Sequence, residues 1–355
     1  MSKWEDNVRK VVPYTPGEQP NQPDMIKLNT NENPYPPAPG VAEALKNLKA
    51  DDMRLYSDPT AGKLVEAIAE EYGVKTSQVF VGVGSDDVIA MAFQTFFNSD
   101  KPILFPDITY SFYDVWADCF RIPYKKIPLS EDFEIIPADY EQENGGVIFP
   151  NPNAPTGALL PLSEVEAIIA ANRDVVVMVD EAYIDFGGES ALPLLEKYDN
   201  LLVVQTFSKS RSMAGARLGF AVGNAELIRD LNTLKYSTNP YNVNRMSAAA
   251  GVAALREDDY YAENARRIME NRDWTIGELR ALGFEVTDSR SNFIFARTDR
   301  IDGGALYRGL KERGILVRHF DKPRISAYVR ITVGTREQME AFLRETRSLL
   351  EERDG

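Results

Sequence analysis

Between residues 60 and 230 the chain carries short, nearly continuous apolar runs, QVFVGVG, PILFP, GVIFP, DVVVMVD, NLLVVQTF and ARLGFAVG, separated by stretches of helical periodicity. Runs of that length, rich in β-branched residues, read as strands buried on both faces, and their alternation with helices predicts an α/β fold with a largely parallel sheet. One helix start shows in Ser163 with Glu166 three residues on and Val165, Ile168 and Ile169 on one face. After residue 245 the pattern changes to a long helical stretch, YYAENARRIMENRDWTIGELRALGF, then the strand candidates FEVTDSR, NFIFART, ILVRHF and YVRITVG, and a closing helix from Thr335. That order predicts a smaller α+β domain. Residues 1 to 40 are rich in Pro, Asn and Tyr and end in NENPYPPAPG, which predicts an extended arm that packs on something else. The expected division is an arm over 1–30, a large domain over 31–245 and a small domain over 246–355.

Composition narrows the function classes. A chain of 355 residues with 44% hydrophobic content buries a sizeable core and divides naturally in two. No apolar run approaches the roughly 20 residues that span a bilayer, and the first residues lack the apolar centre of a secretory signal, so a cytoplasmic location is expected. A single cysteine, Cys119, excludes an internal disulfide, and a single histidine, His319, excludes a multi-histidine metal site. A formal charge of -14 disfavours nucleic acid and anionic membranes. An anionic ligand therefore needs a local positive pocket. There is no fixed-period repeat and no low-complexity segment.

The candidate chemistry lies at strand ends. VGVGSDD opens a helical pattern, so Gly82, Gly84, Ser85 and Asp86 leave backbone N–H groups at a helix N-terminus, where a phosphate is favoured. Asp86 and Asp87 suit that site if their carboxylates turn away. Tyr110 follows the next strand, and GVIFP runs into NPNAPTG, where Asn153 offers an amide. DVVVMVD ends in Asp180, with Tyr183 three residues on, at the edge where open α/β sheets bind ligands. TFSKSRSMAGARLGF then supplies Ser208, Lys209 and Arg217. A lysine beside a serine is ordinarily a solvated charge, a glycine turn ordinarily only a turn. Their order changes the odds: a phosphate cup, an aromatic, an amide, an acid, a phenol, a lysine and an arginine are what pyridoxal phosphate requires. Arg330 in YVRITVG sits inside a strand pattern, where a charge is costly unless paired.

NENP, GVGSDD, NPNAPTG, VDEAY, TFSK, AGARLGF and VRITVG together resemble the fold-type I pyridoxal-phosphate aminotransferases over nearly the whole chain, and most of all their branch acting on histidinol phosphate. The sequence departs from the common pattern at Ala154, where Asn is frequent, at Val83, and at Ser210 and Arg211 after the lysine. The resemblance implies that Lys209 holds the cofactor as a Schiff base and then shuttles the proton between substrate and cofactor. It implies that Asp180 pairs with the pyridine nitrogen, Tyr183 and Asn153 bond the phenolic oxygen, and Tyr110 stacks on the ring. Ser85, Asp86, Ser208 and Arg217 hold the phosphate, joined by Tyr56 of a neighbouring subunit in a homodimer. Arg330, helped by Arg318, Tyr14 and Asn31, clamps the substrate anion. Glu32, Asn33, Tyr241 and Asn244 are expected near the pocket. The implied reaction passes nitrogen between histidinol phosphate and 2-oxoglutarate or L-glutamate, in histidine biosynthesis. An aromatic amino-acid aminotransferase and a threonine-phosphate decarboxylase stay open, as does, less readily, a non-enzymatic ligand sensor.

Overall fold

The computed structural model describes residues 3–354 apart from 21 and 23. After a two-residue strand β1 (Ile26–Lys27), seven strands form one sheet: β2 (Val79–Gly82), β3 (Ile103–Pro106), β4 (Tyr124–Ile127), β5 (Val147–Pro150), β6 (Val177–Asp180), β7 (Leu201–Thr206) and β8 (Gly219–Gly223). Their order is β2-β8-β7-β6-β5-β3-β4, and only β8 runs against its neighbours. Because β8 is antiparallel to both β2 and β7, those two are parallel to each other. The carboxyl ends of β2, β3, β5, β6 and β7 therefore all emerge at one edge.

Strand periodicity sends alternate side chains to opposite faces. Leu104, Val147, Phe149, Val177, Val179, Leu201 and Val203 enter one cluster, and Phe80, Phe105, Ile148, Met178, Leu202, Val204 and Ala221 enter the other. Helices cover both faces, so each strand reads as a continuous apolar run. At roughly 1.5–3 kcal/mol for each fully buried Val, Leu, Ile or Phe, this double layer dominates the stability of the sheet and holds its edge rigid.

A second sheet, order β12-β13-β10-β9, is antiparallel throughout and is built from β9 (Glu285–Val286), β10 (Phe293–Arg297), β12 (Arg318–His319) and β13 (Val329–Thr332). The intervening strand β11 (Ile315–Leu316) pairs in parallel with β1 instead. The expected long helical stretch is the helix Asp258–Ala281, preceded by a separate helix Arg245–Ala254. The closing helix Arg336–Asp354 has a reciprocal cap, since Thr335 N–H donates to Gln338 and Gln338 N–H to Thr335 Oγ1.

Two local expectations fail. The helix Leu162–Ala171 begins after Pro161 with no side-chain cap, so Ser163 lies inside its first turn, and Glu166 reaches Lys197 and Tyr198 instead. The strand β4 was not expected; its YKKI exposes two lysines at the sheet edge.

Candidate active site

The shared strand edge explains why residues far apart in sequence meet. Two adjoining cavities open there and share Tyr110, Ala154, Tyr183 and Lys209 as walls. Ser85, Asp86, Asp180, Ser208 and Arg217 complete the first. Tyr14, Asn31, Arg318 and Arg330 line the second.

Glycines shape the anion end of the first cavity. Gly84 caps the helix Ser85–Phe96 with φ 84°, and a Cβ there would lie 2.5 Å from the Arg217 guanidinium. At Gly219 a Cβ would lie 2.2 Å from the backbone nitrogen of Ser85. Only glycine fits at either place. The unpaired N–H groups of the helix's first turn and the Arg217 guanidinium thus face the same space. Ser208 closes it, with Thr206 Oγ1 3.0 Å from Ser208 Oγ.

The two acids of that turn part company. Asp87 folds back to accept from Val83 N–H at 2.8 Å. Asp86 does not turn away as expected: its carboxylate accepts from Tyr110 Oη at 2.8 Å and from Arg217 at 3.2 Å. A bound phosphate competes with it for Arg217.

Asp180 ends β6 fully enclosed. It accepts from the Tyr113 hydroxyl at 2.9 Å and from Ala182 N–H at 3.2 Å, and burial raises its carboxyl to about 6 despite both bonds. Its neighbour Glu181, raised by burial to about 7, is bonded away from the cavity by Ser190, Ala191 N–H and Gln205. A buried acid whose donors are two neutral groups gains most from a cationic partner.

Among the described residues Lys209 Nζ has one hydrogen bond, to Thr30 O at 3.4 Å, and sits 5.7 Å from the Tyr183 ring. Its loop is pinned on every side. Asn33 donates to the carbonyls of Lys209 and Ser210, Ser210 Oγ bonds Asp185, and buried Arg211 spans Glu71 and Asp258 at 3.0 Å each. The two departures after the lysine thus anchor the loop.

At the far end, Arg318 and Arg330 are direct cross-strand partners on β12 and β13. Like charges so placed repel. Among the described residues neither has an acid partner: Arg318 holds the carbonyls of Thr15 and Pro16, and Arg330 holds Asn29 O at 2.9 Å with its Nε bare. Burial lowers the Arg330 pKa. Tyr14 stacks on Phe112 at 4.1 Å, which brings the arm to the cavity rim.

Other expected residues stand elsewhere. Asn153 lines a different cavity with Phe133 and Leu160; its amide donates to Ile108 O and Thr156 Oγ1, leaving Oδ1 buried and bare. It has no hydrogen left for a phenolic oxygen, and Ala154 faces the cleft in its place. Tyr56 is 81% exposed, stacked on Tyr241 outside both cavities. Asn244 caps the helix Arg245–Ala254, and Glu32 pairs with Lys27. Tyr113 and Thr206 were missed; both flank residues that were found, Tyr113 three beyond Tyr110 and Thr206 two before Ser208. Among the described residues no His, Cys, Asp and Glu cluster could hold a metal, and no helix is long and apolar enough to cross a membrane.

Set against known proteins, the family model for aminotransferase class I and II matches residues 23–345. The histidinol-phosphate aminotransferase of Pseudomonas putida KT2440 is 50% identical over 340 residues, covering 96% of this chain and 98% of its own. That of Lactococcus lactis subsp. cremoris MG1363 is 48% identical over 351 residues, covering 99% of each. The crystal structure of the Sinorhizobium meliloti histidinol-phosphate aminotransferase in complex with pyridoxal-5'-phosphate superimposes with a TM-score of 0.81 at 24% identity, over 92% of this chain and 91% of that one. A glycine-walled anion cup, a buried acid and a nearly free lysine at one sheet edge, in a chain half identical to such enzymes along its whole length, place it in the class I and II aminotransferase family.

Proposed function

We propose that this chain transfers an amino group between histidinol phosphate and 2-oxoglutarate, using pyridoxal phosphate held at the first cavity and an anion clamp at the second. The observation that carries the reading is the cleft itself: Lys209 lies between a buried acid, Asp180, and two arginines that form no ion pair with an acid among the described residues.

The residues fit the cofactor at both its charged ends. Arg217, Ser208 and the helix turn at Ser85 and Asp86 would hold its phosphate, and Asp180 would meet its ring nitrogen. Tyr110 would flank the ring, and Tyr183 would bond its phenolic oxygen. Asn153 does not fit its expected part. When bound, the cofactor supplies an electron-accepting ring that eases removal of the substrate Cα proton. Asp180 would keep the ring nitrogen protonated, because a cation there relieves the carboxylate's own burial cost. The Lys209 amine, pinned by its loop and lightly bonded, would take up and hold the proton leaving the substrate Cα.

Arg330 and Arg318 would receive the phosphate of one substrate and a carboxylate of the other, with Tyr14 closing the rim. Tyr56, exposed and remote from this cleft, would reach the phosphate of a second copy, so a homodimer belongs to the reading. The reading keeps a large domain over 31–245 that would hold the cofactor and a small one over 246–355, to which the arm over 1–30 would contribute.

The test mixes the yellow cofactor-loaded enzyme with histidinol phosphate, without keto acid, beside phenylalanine, tyrosine and threonine phosphate. Loss of the visible band at far lower histidinol phosphate than aromatic amino acid is expected. Response to the aromatics alone would dispose of the phosphate clamp, and carbon dioxide from threonine phosphate would make the enzyme a decarboxylase.

A further inference from the structure

The Tyr183 hydroxyl receives a hydrogen bond from Asn31 Nδ2 at 2.9 Å. Asn31 is itself held on three sides. Its N–H donates to Thr332 Oγ1 at 2.9 Å, the Thr332 hydroxyl donates to its Oδ1 at 3.2 Å, and Asn292 Nδ2 donates to its carbonyl at 3.0 Å. Asn31, Thr332 and Asn292 are each 2% exposed or less. Asn31 adopts φ 58°, a left-handed conformation that asparagine tolerates better than most residues. With the Thr332 hydroxyl on Oδ1, the amide hydrogens face Tyr183.

Asn153 and Ala154 supply no such donor from the facing turn. Asn153 spends its amide on Ile108 and Thr156, and Ala154 presents a methyl to both cavities. Neither offers a hydrogen to an oxygen anion beside Tyr183.

We propose that Asn31 is a positioning residue, oriented by Thr332, which by donating to Tyr183 Oη frees that hydroxyl's own proton to point into the cleft as the donor to the cofactor's phenolic oxygen. The inference rests on the cofactor reading above. An amide that donates to a hydroxyl makes it the stronger donor in turn. A better-held phenolic anion disfavours the proton on the Lys209–cofactor linkage, which therefore leaves at lower pH. Thr332 lies two residues after Arg330 on β13. The strand that carries the anion clamp thus also sets the donor at the ring.

The experiment is a pH titration of the visible band of the cofactor-loaded enzyme, wild type beside Asn31→Gly, Thr332→Val, Tyr183→Phe and the Tyr183→Phe/Asn31→Gly double variant. Glycine accepts the left-handed backbone and removes the side-chain bonds to Tyr183 and Thr332, while valine keeps the shape of threonine and removes both bonds of the Thr332 hydroxyl to Asn31. The midpoint should rise by about half a pH unit in Asn31→Gly, by less in Thr332→Val, and by most in Tyr183→Phe. In the Tyr183→Phe background Asn31→Gly should add nothing. An unchanged or lowered midpoint in Asn31→Gly, or a rise that persists without the Tyr183 hydroxyl, overturns the proposal. Should Asn31→Gly not fold, an unshifted Thr332→Val overturns it as well. A wild type with no titrating band and no borohydride-stable link at Lys209 would bring down the cofactor reading itself, a distinguishable result.

Discussion

At one end of the cleft, Asp180, Thr206 and Ser208 finish or follow neighbouring strands of a single buried sheet; at the other, Tyr14, Arg318 and Arg330 come from an extended arm and two strands of a different sheet. The first end inherits its geometry from backbone ladders that seven strands hold rigid. The second is assembled by contacts between distant segments: Arg318 spans to Thr15 O and Pro16 O, and Arg330 to Asn29 O. Rigid placement suits groups that act on the reacting atoms, where small displacements are costly. Two arginines without an ion pair among the described residues would suit the proposed site, which has to accept anions of different shape. Substitutions at the strand edge should therefore act on turnover, and those at the arginine pair on substrate affinity.

The sharpest test of that division is Lys209→Ala. Turnover should fall about 10⁴-fold or more if, as proposed, the covalent holder and the proton carrier are the same residue. Borohydride reduction followed by mass measurement should find no cofactor on the chain, and a label elsewhere would refute the assignment. Asp180→Asn should lower turnover about 10²- to 10³-fold, the range for removal of one preorganised charge, with histidinol phosphate KM nearly unchanged. The same variant carries a stability signature. The Asp180 carboxyl is raised to about 6 from an ordinary 3.8, so its ionisation costs folding free energy that is absent below the ordinary carboxylate range and grows as pH rises through 6. Asparagine keeps the acceptor for Tyr113. The cofactor-free variant should exceed the wild type by roughly 2–3 kcal/mol at pH 8 and converge on it below pH 4 in denaturant unfolding.

Arg330→Met tests the other end. The KM for the phosphate substrate should rise about 10- to 100-fold for loss of one charged hydrogen-bond donor, with the unfolding midpoint unchanged or higher because a half-buried cation without an acid partner among the described residues is gone. A large kcat loss with KM intact would break the comparison. Arg318, more exposed and bonded to arm carbonyls, should matter least: Arg318→Ala should raise KM about threefold, seen in the same assay.

Much of this was legible in the chain. The interior strands announce themselves as unbroken apolar runs because both of their faces are covered. β4 escaped because its Lys125 and Lys126 face solvent at the sheet edge, which erases the apolar signal. Lys209, Asp180 and Tyr183 were readable because each sits at a fixed place relative to a strand end. Asn153 misled for the complementary reason: in an irregular turn no periodicity says which of two adjacent side chains faces the cleft, and Ala154 does. The Asn31–Thr332 contact joins residues 301 positions apart. No local pattern could have announced it.

The arm's pairing has a bearing on how the chain is made. β1 finds its partner only when Ile315 and Leu316 exist. At about 5–20 residues per second of synthesis, the first strand waits roughly 15–60 s for the last part of the cleft. Two residues, one of them a lysine, make a poor template for another chain's edge during that interval. The brevity of β1 lets the beginning of the polypeptide stay open until its end arrives.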